Sequence, residues 1–514
     1  MRLTTRKMLD RAFSATGLFS IALMVGALGI ILVPMFWRGA GAYLFRGTVE
    51  YRKQERDLFE RGNEKALQRE IEISETARQP VYDMLADFRG QQQEILNRAI
   101  EASERLGQRE DGLGRRIRRS VFRLREMDDL EQQVHLLSRI DEVVRRQKDH
   151  RLTADLDVIA EVLSMLENQA VLYGDLVHHI RELLGPFPGD RRQVMPRDRF
   201  GQTRWDRTQV KLQQLLFVES WDHSDTSRMG EPKFEPRKAL YHGTPLYEVF
   251  DYIESNLSAM MLPRLTFYGR FLTDVSHDAN MFGGIGPAAL GTLYLTIGAI
   301  LFAVPLGIIS AIYFTEYARP GRIVSLLRTC VSTLAGVPSI VFGLFGLAFF
   351  IHAIRVSPSK SVLAGSLTLG LLVLPTIIRA SEEAILAVPH AYKEAAMSLG
   401  AGRWRTVLTV ILPAALPGIL TGTVISMGRA AGETAPIIFT AAVSIGMGLR
   451  PWEVFDNPTP ALSWNIYNLA TEHEAVDEIR HVQYGMVTTL VAIVLLLNVF
   501  AIALRAKISK KLRG

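Results

Sequence analysis

Two apolar segments near residues 363–378 and 412–428 flank a stretch too rich in Glu, Lys and Arg to lie in hydrocarbon, and this alternation constrains the chain most. About 20 apolar residues suffice for a helix to cross a bilayer, whereas the charged stretch must leave the lipid and return. Inside that loop stand Glu394, Ala395, Ala396 and then Gly400, with good helix formers on both sides of a glycine that can end one helix and open the next at an angle. A short helical elbow is expected, with an Ala-rich surface suited to a groove on a soluble partner.

The rest of the chain agrees. A hydrophobic fraction of 48% is ordinary, but here the apolar residues are gathered into long runs and the charges into one block. Runs near 15–37, 288–313, 331–354, 362–380, 412–430 and 485–505 predict six spans and an all-α polytopic membrane protein. The segment 437–446 is also apolar, so the fifth span either continues past Pro436 or bends there. Pro305, Pro338, Pro375 and Pro417 predict kinks, and Gly343 with Gly346 permits close helix approach. The first run exceeds a signal-peptide core, although Ala40-Gly41-Ala42 offers a small-x-small site; retention as a membrane helix is expected. Arg2, Arg6, Lys7 and Arg11 then put the N-terminus in the cytoplasm. Arg319, Arg322 and Arg328, then Lys393, Arg403 and Arg405, and finally the basic tail 505–513 fall on the same side.

Three regions follow: 1–37, a cytoplasmic tail and first span; 38–286, a mainly helical extracytoplasmic insert; and 287–514, the membrane domain. From 50 to 184 the insert is dense in Glu, Arg, Gln and Leu, which predicts long amphipathic helices broken near Gly112-Leu113-Gly114. Leu130, Val134, Leu137, Ile140 and Val144, and again Leu156, Ile159, Leu163 and Leu166, keep a three-four spacing that suggests a helical hairpin or small bundle. The arginines of 115–125 read as a solvated face or as an anion-gathering patch. The run 210–219 is open between helix and strand. The segment 245–262 is amphipathic, either an interfacial helix or a core helix of the insert.

Chemistry concentrates at Arg379, Arg429 and Glu433. A guanidinium at a helix centre in lipid costs about 2.5–3.5 kcal/mol, so it needs a partner or a watery cavity. Arg429 and Glu433 are one helical turn apart and can pair, while Thr434 and Thr440 offer hydroxyls. An oxyanion path and a structural ion pair both fit this spacing. The pair Glu382-Glu383 precedes the loop, where contact with a partner suits it better than acid–base work. No Gly-x-x-x-x-Gly-Lys-Ser/Thr is present, so this chain does not cradle ATP itself. Nor does it carry HExxH or a Ser-His-Asp pattern, and it is read as no enzyme, with no cofactor. One cysteine, Cys330, excludes an internal disulfide framework. A net charge of +6 is spread as topology requires rather than as nucleic acid would.

Residues 394–413, EAAMSLGAGRWRTVLTVILP, resemble the EAA loop of ABC-importer permeases, with Val410 where that pattern usually has Ile. LPTIIRASEE at 374–383, RAAGETAP at 429–436 and GVPSIVFGLFGLA at 336–348 are similar, more narrowly, to the phosphate permeases of that family, over about residues 281–514 plus the first span. The resemblance implies a multi-pass inner-membrane subunit importing inorganic phosphate. Its implied partners are a second related permease, two ATPase subunits docking at Glu394, Ala395, Ala396 and Gly400, and an extracytoplasmic phosphate-binding protein. Arg379, Arg429, Glu433 and Thr434 would line the path. A permease for another oxyanion such as sulfate or molybdate is the alternative. A membrane-tethered sensor or scaffold is the rival from a different class, and it would need no coupling elbow.

Overall fold

The computed structural model describes residues 3–107, 153–189, 203–222, 231–277, 280–472 and 479–513, with 119, 120, 123 and 136 as single positions. The chain divides into two bodies, one comprising Phe45–Thr266 and the other Met1–Leu44 with Phe267–Gly514.

Helix α1 (Leu3–Ala40) and strand β1 (Leu44–Gly47) lead to the first body. Its helices are α2 (Val49–Phe59), α3 (Glu64–Gly107), α4 (Thr153–Leu184), α5 (Trp205–Leu216) and α6 (Tyr247–Met261). β2 (Phe217–Asp222) and β3 (Glu231–Pro236) form an antiparallel hairpin, and β4 (Arg264–Phe267) pairs with β1. The ambiguity at 210–219 resolves as both: α5 hands over to β2 at Phe217. Val249, Phe250, Ile253 and Leu257 of α6 are buried among Val81, Leu85 and Phe88 of α3 and Tyr173, Leu176 and Ile180 of α4. The 245–262 segment is therefore a core helix, and each such side chain contributes about 1.5–3 kcal/mol by leaving water. Farther along the α3–α4 pair, Leu96 and Ala99 pack with Ile159, Leu163 and Leu166, so the apolar face that the 156–166 spacing predicts is buried between two antiparallel helices. Burial pushes the Tyr241 phenol up, so it stays a neutral donor to the Leu172 carbonyl at 2.8 Å. The spacing at 130–144 and the arginine-rich stretch 115–125 lie outside the described residues, apart from single positions that include the exposed Arg119 and Arg123.

Charged groups fix the base of this body. The fully buried Glu50 carboxylate accepts from Arg78 at 3.0 Å and Lys53 at 3.1 Å. Arg78 also donates to the Met260 carbonyl at 3.1 Å, and Arg52 to the Leu262 carbonyl at 2.9 Å. These acceptors belong to the last turn of α6 and its cap, where the helix macrodipole favours cations. Glu50→Ala strands two buried cations, and breaking such a pair costs about 3–5 kcal/mol. For a body of this size the unfolding midpoint should fall by roughly 6–20 °C. Calorimetry on the detergent-solubilised chain checks this, with Glu50→Ala/Arg78→Met recovering part of the loss.

The second body is the membrane bundle. It continues with α7 (Gly286–Ile312), α8 (Arg322–Leu334), α9 (Ser339–Gly346), α10 (Val362–Leu386), α11 (His390–Ser398), α12 (Arg403–Thr406), α13 (Leu412–Gly432), α14 (Ala435–Thr440), α15 (Leu462–Thr471) and α16 (Arg480–Arg513). Among the described residues, five segments are long and apolar enough to span a membrane: Ala12–Ala40, Gly286–Tyr317, Val362–Leu386, Arg403–Gly432 and Arg480–Lys507. α8 with α9 makes a sixth only if a pair bent by 103° counts as one crossing. The span expected at 331–354, with a kink at Pro338, is bent into two helices. Pro338 lacks an N–H and disfavours helix at its predecessor, and here α8 ends at Leu334 and α9 restarts at Ser339. The apolar run at 437–446 likewise does not extend the fifth span, because α13 ends at Gly432 and α14 restarts at Ala435.

α10 is the central post. Its N-terminus is capped by Ser361, whose hydroxyl accepts from the Ala364 N–H at 3.1 Å. Leu369, Leu372, Val373 and Ile377 bury against Leu295, Ala299 and Ala303 of α7. α13 runs antiparallel beside it at backbone range: a Cβ on Gly418 would lie 2.6 Å from that of Ala384, and Gly422 meets Ala380 in the same way. Small residues permit this approach, which supplies the packing that association in lipid relies on. α1 and α16 lean together where Arg38 donates to the Tyr484 hydroxyl at 2.8 Å. Phe13 and Ile30 of α1 are 82% and 77% exposed, as lipid-facing residues should be.

Candidate translocation path and coupling elbow

The loop between α10 and α13 folds as two helices meeting at a glycine. α11 ends through a left-handed residue: Gly400 has φ +83°, its N–H bonds to Met397 O at 3.0 Å, and the Ala401 N–H reaches back to Ala396 O at 3.1 Å. That is a Schellman cap, which favours glycine at this position. α12 then opens after Gly402 and joins α13 through the wide π turn Val407–Ile411. No residue of α11 is buried. Glu394 and Ala395 are exposed and Ala396 half-exposed. Around them Tyr392, Leu399 and Trp404 are 55%, 90% and 61% exposed, an apolar patch on a charged elbow.

The base of the elbow is held. Ile385, Val407 and Ile411 bury against Ala311 and Ile312, and Lys393 pairs with Glu316 in the π turn that extends α7. Sequence reasoning missed this ion pair, whose partners lie far apart in the chain. It also read Glu382 as a contact for a partner, whereas Glu382 is paired with Arg328 at 2.7 Å. Glu383 stays exposed.

Arg379 is exposed on α10 and donates to the Ser332 hydroxyl of α8. Arg429 sits in the last turn of α13, its Nε 3.2 Å from Glu433 Oε1. The pair uses Nε alone, so both terminal nitrogens of Arg429 have no partner among the described residues. Thr434 stands at the break between α13 and α14 and its side chain makes no capping bond. Thr440 is spent inside the fold: fully buried, it donates to Pro436 O at 2.9 Å. The two arginines do not meet at one point. Arg379 adjoins Ala380, which faces Gly422, and Arg429 lies seven residues beyond, about 10 Å along the bundle. The two arginines thus form no single pocket, each holding its own partner, Ser332 or Glu433.

The family of binding-protein-dependent transport system inner membrane components matches residues 303–514. The probable ABC transporter permease YqgI of Bacillus subtilis is 32% identical over 252 residues, 47% of this chain and 85% of that one. The phosphate transport system permease PstA 1 of Mycobacterium tuberculosis H37Rv is 35% identical over 231 residues, 45% of this chain and 72% of that one. PstA of Mycobacterium leprae is 34% identical, with 45% and 74% covered. Among solved structures, an inward-facing MetNI methionine transporter chain aligns over 43% of this chain and 94% of its own at 21% identity and TM-score 0.34. The chain belongs to the binding-protein-dependent ABC-importer permeases, multi-pass inner-membrane components that work with ATPase and substrate-binding partners and are not themselves enzymes. Within that family its homologues include the PstA permeases.

Proposed function

We propose that this chain is the PstA-type permease subunit of an ATP-driven phosphate importer. It forms half of the translocation path beside a PstC-like permease and couples through Glu394–Gly400 to two PstB-like ATPases. A PstS-like binding protein delivers the anion on the extracytoplasmic side, where residues 38–286 form the insert; 1–37 and 287–514 make the membrane domain. The observation that carries the oxyanion reading is the open fork of Arg429. A planar guanidinium with two free nitrogens matches a tetrahedral oxyanion, and Glu433, one turn away, can take the fork back once the anion leaves. The fork alone fits sulfate or molybdate equally well, and the kinship with PstA permeases favours phosphate. Deleting the gene should abolish high-affinity uptake of labelled phosphate and leave sulfate uptake intact. Loss of sulfate uptake instead would favour the other-oxyanion reading.

The orientation has its own test. Cysteines at Thr76 and Ser398, both exposed, are introduced after Cys330→Ser. In intact spheroplasts an impermeant thiol reagent should label Thr76→Cys alone. Ser398→Cys should react only after the membrane is opened. Equal labelling of both in intact spheroplasts would overturn the topology.

A further inference from the structure

Beside the N-terminus of α10 the bundle carries a cleft of about 440 Å³, lined by His352, Arg355, Ser357 and Asp456 together with apolar side chains. α10 runs 25 residues from here to the elbow, so the cleft lies near the opposite end of the bundle, about 37 Å away. Arg355 has φ +57°, a left-handed conformation that residues with a side chain rarely adopt and glycine adopts freely. The Ile354 and Val356 N–H groups, bonded to Phe349 O at 2.8 Å and Phe350 O at 2.9 Å, hold it there. The chain thus carries a strained arginine where glycine would relax. Its guanidinium has no partner among the described residues, and neither do the side chains of His352 and Asp456.

The segment between the cleft and α10 is bonded to the helix that follows the Arg429 site. Lys360 donates to Ile438 O at 2.7 Å, and the Ser361 N–H to Thr440 O at 2.9 Å. Both acceptors lie on α14, the short helix that follows Glu433 and Thr434 directly. Arg355, Arg429 and Arg379 therefore succeed one another from the far end of the bundle toward the elbow. Arg355, His352 and Asp456 are all exposed at this open cleft, and backbone strain retained at a cation there motivates a functional reading.

We propose that this cleft is an outer station for a tetrahedral oxyanion, with the Arg355 fork and a His352 N–H as donors, where the ion waits before reaching Arg429. Asp456, which also lines the cleft, repels a bare anion but accepts a hydrogen bond from one that keeps a proton, as phosphate does at neutral pH. The choice of phosphate rests on the function proposed above; the oxyanion chemistry does not.

The full-length chain in maltoside micelles, free of lipid phosphate, is dialysed against labelled inorganic phosphate. Arg355→Ala and Arg355→Gly should each weaken binding at least tenfold. Arg355→Gly relieves the backbone, so its unfolding midpoint should not fall and a loss of binding there cannot be misfolding. Unchanged binding in both Arg355 variants, or no saturable binding by the wild type, would overturn the station. Displacement by sulfate as effective as by phosphate supports the station as an oxyanion site and removes the phosphate reading. Added phosphatidylglycerol separates the sources: failure to displace the label supports a free ion. Displacement keeps the phosphate chemistry but makes a lipid headgroup the occupant, overturning a station on the ion's route.

Discussion

Gly400→Pro is expected to abolish phosphate uptake while leaving the membrane helices folded. The native residue sits at φ +83° and donates its N–H to Met397 O, whereas proline is fixed near φ −65° and has no N–H. Proline also pushes Leu399 toward extended backbone, away from the φ −82°, ψ 7° it holds as the cap of α11. The substitution therefore removes the Schellman closure and re-aims everything after it, with a local cost of about 3 kcal/mol or more. The damage stays at the tip, because nothing lies within 4 Å of a Cβ at this position and the base is held separately by the Lys393–Glu316 pair and the Ile385–Val407 cluster. Gly400→Ala isolates the conformational part at about 1–2 kcal/mol, so intermediate transport is expected. Uptake and co-purification of the ATPase subunit should fall together along the series. Full uptake by Gly400→Pro would remove the elbow from the coupling mechanism.

The second large effect concerns the cations. Arg429→Lys and Arg379→Lys keep the charge but replace a planar fork by a compact ammonium, and each should reduce uptake at least tenfold at normal membrane abundance. At Arg429 the fork is held by one nitrogen and open at two, so geometry should matter most there. Glu433→Gln should act in the opposite sense. It loosens the i,i+4 pair, strengthens anion holding and slows release, which appears as a lower KM with a lower maximal rate. Wild-type uptake by both lysine variants would make these arginines generic positive charges.

How much could be read beforehand depended on the solvent each residue meets. Lipid leaves little choice: a backbone in hydrocarbon must be helical, so the spans around α7, α10, α13 and α16 stood out as apolar runs and the elbow as an island of charge between two of them. Averaged hydropathy is blind to backbone breaks, which is why 331–354 looked like one span although Pro338 lies inside it. In the soluble body the spacing of Ile159, Leu163 and Leu166 announced a buried face, yet amphipathicity alone does not say what covers it. Hence α6, which packs on α3 and α4, could equally have been an interfacial helix. Contacts between distant residues left no local trace: Lys393 with Glu316, Arg379 with Ser332 and Glu50 with Arg78 emerge only from the fold. Arg355 was invisible for another reason, since neither its left-handed backbone nor its cleft has a signature in residue type.

The elbow and the cations make one claim, that this chain carries phosphate across a membrane on energy received through residues 394–400. Reconstitution tests it most directly: the chain with its partner permease, ATPase and binding protein in proteoliposomes, with ATP on the ATPase side and labelled phosphate on the other. Saturable phosphate uptake that requires ATP, is lost with Gly400→Pro and is unaffected by excess sulfate is the result predicted. ATP hydrolysis that proceeds without phosphate movement, or uptake indifferent to Gly400→Pro, would contradict it.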